Sequence, residues 1–155
     1  MIYIVAGDID SGKTARMFNL YQKMRPEEAD GFISPKVYQD GCFRGYEIVR
    51  LSNGEKRVLA GLAGAGAPEF TDYFRFLFSR EGFQFGETLL RNLLKDAAIK
   101  NVFIDEIGTL ELQGLGFHDI LLEALQSSRD IYLCLRSSCL ESVLTRFAIT
   151  DYKLV

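Results

Sequence analysis

Two clusters of residues in this 155-residue chain have types and spacings that could do chemistry. The first is Gly7-Asp8-Ile9-Asp10-Ser11-Gly12-Lys13-Thr14: a glycine, four residues, then Gly-Lys-Thr. That is the pattern of a phosphate-binding loop. Its glycines let the backbone curl so that successive N–H groups converge on phosphate oxygens. A helix opening at Lys13 would add the positive end of its dipole. Lys13 would bring a point charge to the β- and γ-phosphates, and the Thr14 hydroxyl is a ligand type for Mg²⁺. We take Gly7, Asp8, Ile9, Asp10, Ser11, Gly12, Lys13, Thr14 and Ala15 as the candidate nucleotide-binding stretch. Asp8 and Asp10 are unusual in a loop meant for anions. Because the cradle is made of backbone groups, both are expected to face solvent, with Asp10 also able to reach Mg²⁺ through water.

The second cluster is Val102-Phe103-Ile104-Asp105-Glu106, an apolar run that ends in two acids. An acid at the end of a buried strand, opposite a phosphate loop, suits the bound metal, directly or through water. Asp105 and Thr14 are therefore the candidate metal ligands. Glu106, one residue further, is placed to polarise an attacking water as a general base. Glu106 and Lys13 are the first candidate catalytic groups. Glu111, in the turn beyond, reads as a solvated loop acid.

These clusters need elements to hold them. Met1 to Ala6 is a short apolar run with β-branched residues, the pattern of a fully buried strand. From Lys13 to about Met24, Met17, Leu20, Tyr21 and Met24 recur at helical spacing, and Pro26 closes the helix. Gly31 to Leu51 reads as extended chain with a turn at Gln39-Asp40-Gly41. Asn53-Gly54 turns the chain again into Arg57 to Leu62, completing an antiparallel meander. Gly61 to Pro68 reads as a flexible connection, with a lid over a ligand as the other reading. Tyr73 to Ser79 alternates, with Phe74, Phe76 and Phe78 on one face, and is expected to be one strand. Phe85, Leu89, Leu90, Leu93, Leu94, Ala97 and Ala98 form a helical stripe. Asn101 to Ile104 is a buried strand, Phe117 to Gln126 a helix and Ile131 to Leu135 a strand. Ser138 to Phe147 is expected to be a helix capped by Ser137 or Ser138, and Tyr152 to Val155 a short strand. Strands alternating with helices give an α/β architecture: a parallel central sheet flanked by helices, with an antiparallel β-meander added, in one domain over residues 1–155.

Composition limits the function classes. Eighteen basic and 21 acidic residues leave a net charge of −3, which argues against a nucleic-acid binder. No apolar stretch approaches the length of a membrane helix. The start lacks the basic region of a signal peptide. Cys42, Cys134 and Cys139 are an odd count without a paired motif, which points to reduced thiols in the cytoplasm. His118 is the only histidine, so a zinc site is not expected.

Three stretches, taken in order, resemble the small nucleoside-triphosphatase family that includes cancer-related nucleoside triphosphatase. They are the Gly7–Thr14 loop, Gly31-Phe32-Ile33-Ser34-Pro35-Lys36-Val37 with Gly45-Tyr46-Glu47-Ile48-Val49, and Ile104-Asp105-Glu106-Ile107-Gly108-Thr109-Leu110-Glu111-Leu112. The resemblance spans nearly the whole chain. It implies a P-loop NTPase fold of the additional-strand, catalytic-glutamate type, with Mg²⁺-dependent hydrolysis of ATP, GTP and other nucleoside triphosphates at little base preference. It also implies a role for Arg136, which follows a late strand where relatives often carry a basic residue. There it would contact the γ-phosphate or act as a sensor. The chain departs from the family pattern inside the loop, at Asp8-Ile9-Asp10-Ser11, and in having Ala15 after Thr14. Two other functions share these motifs. A small-molecule or nucleotide kinase would need an acceptor pocket. A nucleotide-dependent switch or accessory subunit would need a protein partner.

Overall fold

In the computed structural model, which describes residues 1–62, 70–73 and 76–155, one sheet runs through the chain. β1 (Ile2–Gly7) lies between β10 (Tyr152–Leu154) and β9 (Asp130–Arg136), and β9 pairs with β8 (Asn101–Ile107). β8 pairs in turn with β2 (Ala29–Ile33), and all four pairings are parallel. Beyond β2 the pairing turns antiparallel, through β4 (Cys42–Arg50), β5 (Lys56–Leu62), β7 (Phe76–Ser79) and β6 (Phe70–Tyr73). β3 (Lys36–Gln39) pairs with β4 off the main path. The α/β architecture expected from sequence is present, and its antiparallel addition continues the same sheet.

The parallel strands are apolar on both faces because both are covered. Ile4, Val102, Ile104, Ile131, Leu133 and Leu135 join one core, packed under α2 (Arg80–Lys95), α4 (His118–Leu125) and α5 (Leu140–Arg146). Val5, Phe103, Tyr132 and Cys134 face the other way, with Met17 from α1 (Lys13–Tyr21). On that side Tyr3, Tyr132 and Phe103 stack across three adjacent strands, with centroids 4.6 and 4.4 Å apart. The two-residue repeat of each strand decides which side chains each core receives.

Where the sheet changes direction, a buried carboxylate ties the two halves. Asp30 of β2 accepts hydrogen bonds from Arg50 Nε at 2.8 Å and from the Ser52 N–H and hydroxyl at 3.1 and 2.8 Å. This fixes the start of the meander, and so the path of Ser34 to Lys36 that follows β2.

Several expected boundaries move. α1 ends at Tyr21, and residues 22–24 continue as turns, with Lys23 and Met24 N–H bonding three residues back. The expected single strand from Tyr73 to Ser79 is replaced by two antiparallel strands, β6 and β7. Phe74, and the connection or lid read over Gly61 to Pro68 apart from Gly61 and Leu62, fall outside the described residues. The helical stripe starting at Phe85 extends back to Arg80, because the Ser79 hydroxyl accepts the Gly82 N–H and caps it. Neither Ser137 nor Ser138 caps α5. Residues Ser137–Cys139 form a 3₁₀ turn, and Cys139 is the residue before the helix, with no side-chain cap. No helix among the described residues is long and apolar enough to cross a membrane.

Candidate functional site

Both chemical clusters arrive at the C-terminal edge of the parallel strands. β1 delivers the phosphate loop, β8 delivers Asp105 and Glu106, and β9 lies between them, with Arg136 level with Gly7. The carboxyl end of a parallel sheet is where α/β folds place ligands, because the loops there converge on helix N-termini.

The loop has the curvature its sequence calls for. Gly12 sits at φ 80° and Asp10 at φ 61°, so the chain turns left-handed twice before α1 begins. Glycine adopts that region without cost. Lys13 is 7% exposed, and its Nζ donates to the Asp8 carbonyl at 2.6 Å. Gly7 ends β1, and Asp8, Ile9, Asp10, Ser11 and Ala15 are exposed around this centre. Asp10 is exposed as expected, but it also forms an ion pair with Lys36 at the start of β3. That contact ties the loop to the meander.

Thr14 Oγ1 donates to Asp105 Oδ2 at 2.9 Å, across 91 residues of sequence. The Ser34 N–H donates to the same oxygen at 2.9 Å. Asp105 is fully buried, and its other oxygen, Oδ1, has no hydrogen-bond partner among the described residues; neither does the buried Ser34 hydroxyl. The Cys134 thiol stands across from this carboxylate, and burial together with the Asp105 charge pushes its pKa up. An uncompensated carboxylate oxygen in a dry site is costly unless a cation meets it. Thr14, Asp105 and Ser34 thus offer hard oxygen donors on one side of the loop. No group of three His, Cys, Asp or Glu side chains gathers among the described residues. The donor set therefore fits a hard cation that keeps most of its water and binds phosphate oxygens, in preference to one held in a protein cage.

Glu106 owes its place to a defect in the strand. Ile104 pairs with Leu133 and Ile107 with Leu135, so Asp105 and Glu106 together oppose the single residue Cys134. This bulge resets the alternation. Ile107, not Glu106, takes the next core position, and it is 1% exposed. Glu106 turns out at the strand end with φ 66°, a left-handed conformation rare for a residue with a side chain. Burial raises its pKa first and the neighbouring Asp105 charge raises it further; Arg136, Lys13 and Lys36 pull it back. A carboxylate so placed has a proton affinity above the ordinary, as a general base requires.

Lys13, Thr14, Glu106 and Arg136 line a single cleft of about 280 Å³, together with Ser34 and Lys36. The sequence reading did not single out Ser34 or Lys36 for the site. The signal was the segment Ser34-Pro35-Lys36, which leaves β2 directly beside Asp105. Glu111 also needs correcting. It is 2% exposed, not a surface acid. Its carboxylate accepts the Gly108 N–H at 2.9 Å, capping α3 (Thr109–Leu112), and the Phe117 N–H at 3.0 Å. Burial raises its pKa against those two hydrogen bonds. Of the aromatic residues considered for stacking on a base, Tyr46 lines this cleft as well, and with Tyr38 it also lines an adjoining larger cavity, while the side chain of Phe70 is outside the description.

Comparison with known proteins gives the family and the fold. A family model described as NTPase matches residues 2–154. The nucleoside-triphosphatase THEP1 of Methanocaldococcus jannaschii is 26% identical over 133 residues, 84% of this chain and 75% of that protein. THEP1 of Archaeoglobus fulgidus is 31% identical over 114 residues, 73% of this chain and 64% of that protein. Among solved structures, THEP1 from the hyperthermophile Aquifex aeolicus superposes with a TM-score of 0.76 at 18% identity, over 100% of this chain and 88% of that one. A human cancer-related nucleoside triphosphatase superposes at 0.71 and 22% identity, over 99% and 86%. The fold is shared with both.

Proposed function

We propose, because the chain belongs to the NTPase family, that it is a Mg²⁺-dependent nucleoside triphosphatase. It releases the γ-phosphate of ATP, GTP and other nucleoside triphosphates with little regard for the base. One observation carries the reading: Thr14 and Asp105 meet at 2.9 Å beside the phosphate loop, and the second Asp105 oxygen is buried with no partner within hydrogen-bond distance among the described residues.

Thr14 and Asp105 are the residues that would hold Mg²⁺, and the Ser34 N–H fixes the carboxylate that does so. Held by these residues, Mg²⁺ would supply positive charge to the phosphate oxygens. The loop N–H groups from Gly7 to Ala15 and the N-terminus of α1 receive the phosphates. Lys13 leaves the Asp8 carbonyl for the phosphate oxygens. Glu106 takes a proton from the attacking water as its oxygen bonds to γ-phosphorus, and the bridging oxygen leaves with the nucleoside diphosphate. Arg136 stands at the end of β9 where charge on the γ-phosphoryl group develops. The breadth of base preference follows the family resemblance. The three cysteines are free, which suits the cytoplasmic setting we propose.

The test is phosphate release from ATP, GTP, CTP and UTP, with Mg²⁺ and with a chelator in its place, for wild type and Lys13→Ala. Release from all four that needs the metal and is lost in the variant supports the proposal. Tight binding without release, or release unchanged in Lys13→Ala, overturns it.

A further inference from the structure

Behind Glu106 the phosphate cleft opens into a cavity of about 1000 Å³, against about 280 Å³ for the cleft itself. Hydrolysis asks for room for a single water on that side of the γ-phosphate. The space is instead at the upper end of the range for sites that take small organic molecules, about 300–1,000 Å³.

The walls say what kind of molecule. On the meander side Tyr38, Phe43 and Tyr46 run edge to face, with centroids 5.9 and 5.4 Å apart. A second aromatic group also lines it: Phe83 lies 4.8 Å from Phe117 and 5.8 Å from Phe78 of β7. Two aromatic groups accept flat apolar rings by stacking and edge contacts. The charges sit at the mouth shared with the phosphate cleft. Lys36 is held by Asp10. Arg136 is exposed and has no ion pair among the described residues, and Glu106 stands beside it. Glu111 also lines the space, but both its oxygens are taken by backbone N–H groups.

We propose that this cavity binds a second ligand, a small planar aromatic anion, with its rings against the aromatic walls and its charge toward Arg136. Such a molecule lies where the attacking water must enter, so its binding slows hydrolysis. The inference rests on Glu106 facing the γ-phosphate, as proposed above.

The probe is 8-anilino-1-naphthalenesulfonate, titrated into the protein and followed by its fluorescence, with phosphate release measured in parallel. Ala60→Phe and Thr109→Trp both push bulk into the cavity, one from its wall and one from its rim, without touching the phosphate-binding groups. Circular dichroism checks their folding. The expected result is saturable binding at one equivalent in wild type, also with ATP present, and slower phosphate release when the probe is bound. Binding about tenfold weaker or more in the filled variants, with phosphate release there no longer responding to the probe, completes it. No saturable binding, equal binding in wild type and filled variants, or no effect on turnover overturns the proposal. Expulsion of the probe by ATP also overturns it, since the cavity would then belong to the nucleotide. A wild type that binds the probe but releases no phosphate defeats the triphosphatase reading and leaves the binding site standing.

Discussion

Replacing Glu106 with glycine should stabilise the protein while abolishing its activity. Glu106 sits at φ 66°, where a side chain's Cβ crowds the following carbonyl at a cost of about 1–2 kcal/mol. Glycine escapes that cost but loses about 0.5–1 kcal/mol more backbone entropy on folding. The difference leaves Glu106→Gly about 0.5–1 kcal/mol more stable than Glu106→Ala. At an ordinary strand position the order is reversed by a similar amount. Against wild type the glycine variant gains further, because it removes a desolvated carboxylate beside Asp105. For a domain of this size, each kcal/mol moves the melting temperature by about 2–4 °C. Thermal unfolding of wild type, Glu106→Gly, Glu106→Ala and Glu106→Gln gives the order directly. The glycine variant should melt highest, and all three variants should lose at least about a hundredfold in turnover. An alanine variant as stable as the glycine variant, or more stable, would refute the claim that the bulge holds Glu106 under strain.

Three further outcomes follow. Asp10→Asn should tighten binding of a non-hydrolysable triphosphate about two- to fivefold, because it removes a negative charge and releases Lys36 from its exposed ion pair; Lys36→Ala should weaken it, and titration calorimetry reads both. Glu111→Ala strips the acceptor from the Gly108 and Phe117 N–H groups and should cost about 2–4 kcal/mol in denaturant unfolding. The Tyr132 phenol, buried in the aromatic stack, is pushed up to about 12. Its folded pKa lies above the usual value near 10, so its contribution to stability is complete below pH 10 and is lost as pH rises from 10 toward 12. Tyr132→Phe should flatten that alkaline decline, as followed by circular dichroism at a series of pH values.

The parts of the molecule legible in sequence are those whose physics is local. A buried strand, a glycine-bearing loop and an amphipathic helix follow one another in the first two dozen residues, so the phosphate loop could be read there. The apolar run from Val102 to Ile104 likewise announced the acids behind it. Strand order was not legible: that β9 lies between β1 and β8 depends on pairings between distant segments and came only with the structure. The bulge at Asp105 and Glu106 was hidden because one inserted residue changes parity without changing composition. The two acids therefore read as the strand's end, while the strand runs on to Ile107. Glu111 was misjudged for a different reason. A carboxylate is buried only when backbone donors wait for it, and those come from a turn that closes on it. Gly116, at φ 60°, belongs to that turn, and a Cβ there would lie 2.3 Å from Glu111 Oε1. The glycines after Glu111 were the available signal. Lys36 was missed because its partners, Asp10 and the phosphate cleft, are brought to it by sheet pairing. Ser137 and Ser138 are good caps by residue type, but the 3₁₀ turn they occupy moved the helix start beyond them.

We propose that this site binds a triphosphate through the loop and Asp105, and breaks it with Glu106. Glu106→Gln tests it most directly, measured for affinity toward ATP in the presence of Mg²⁺ and, in the same sample, for phosphate release in a single turnover. ATP should be held as tightly as by wild type, with release slowed by at least about a hundredfold. Release at the wild-type rate would remove Glu106 from the chemistry.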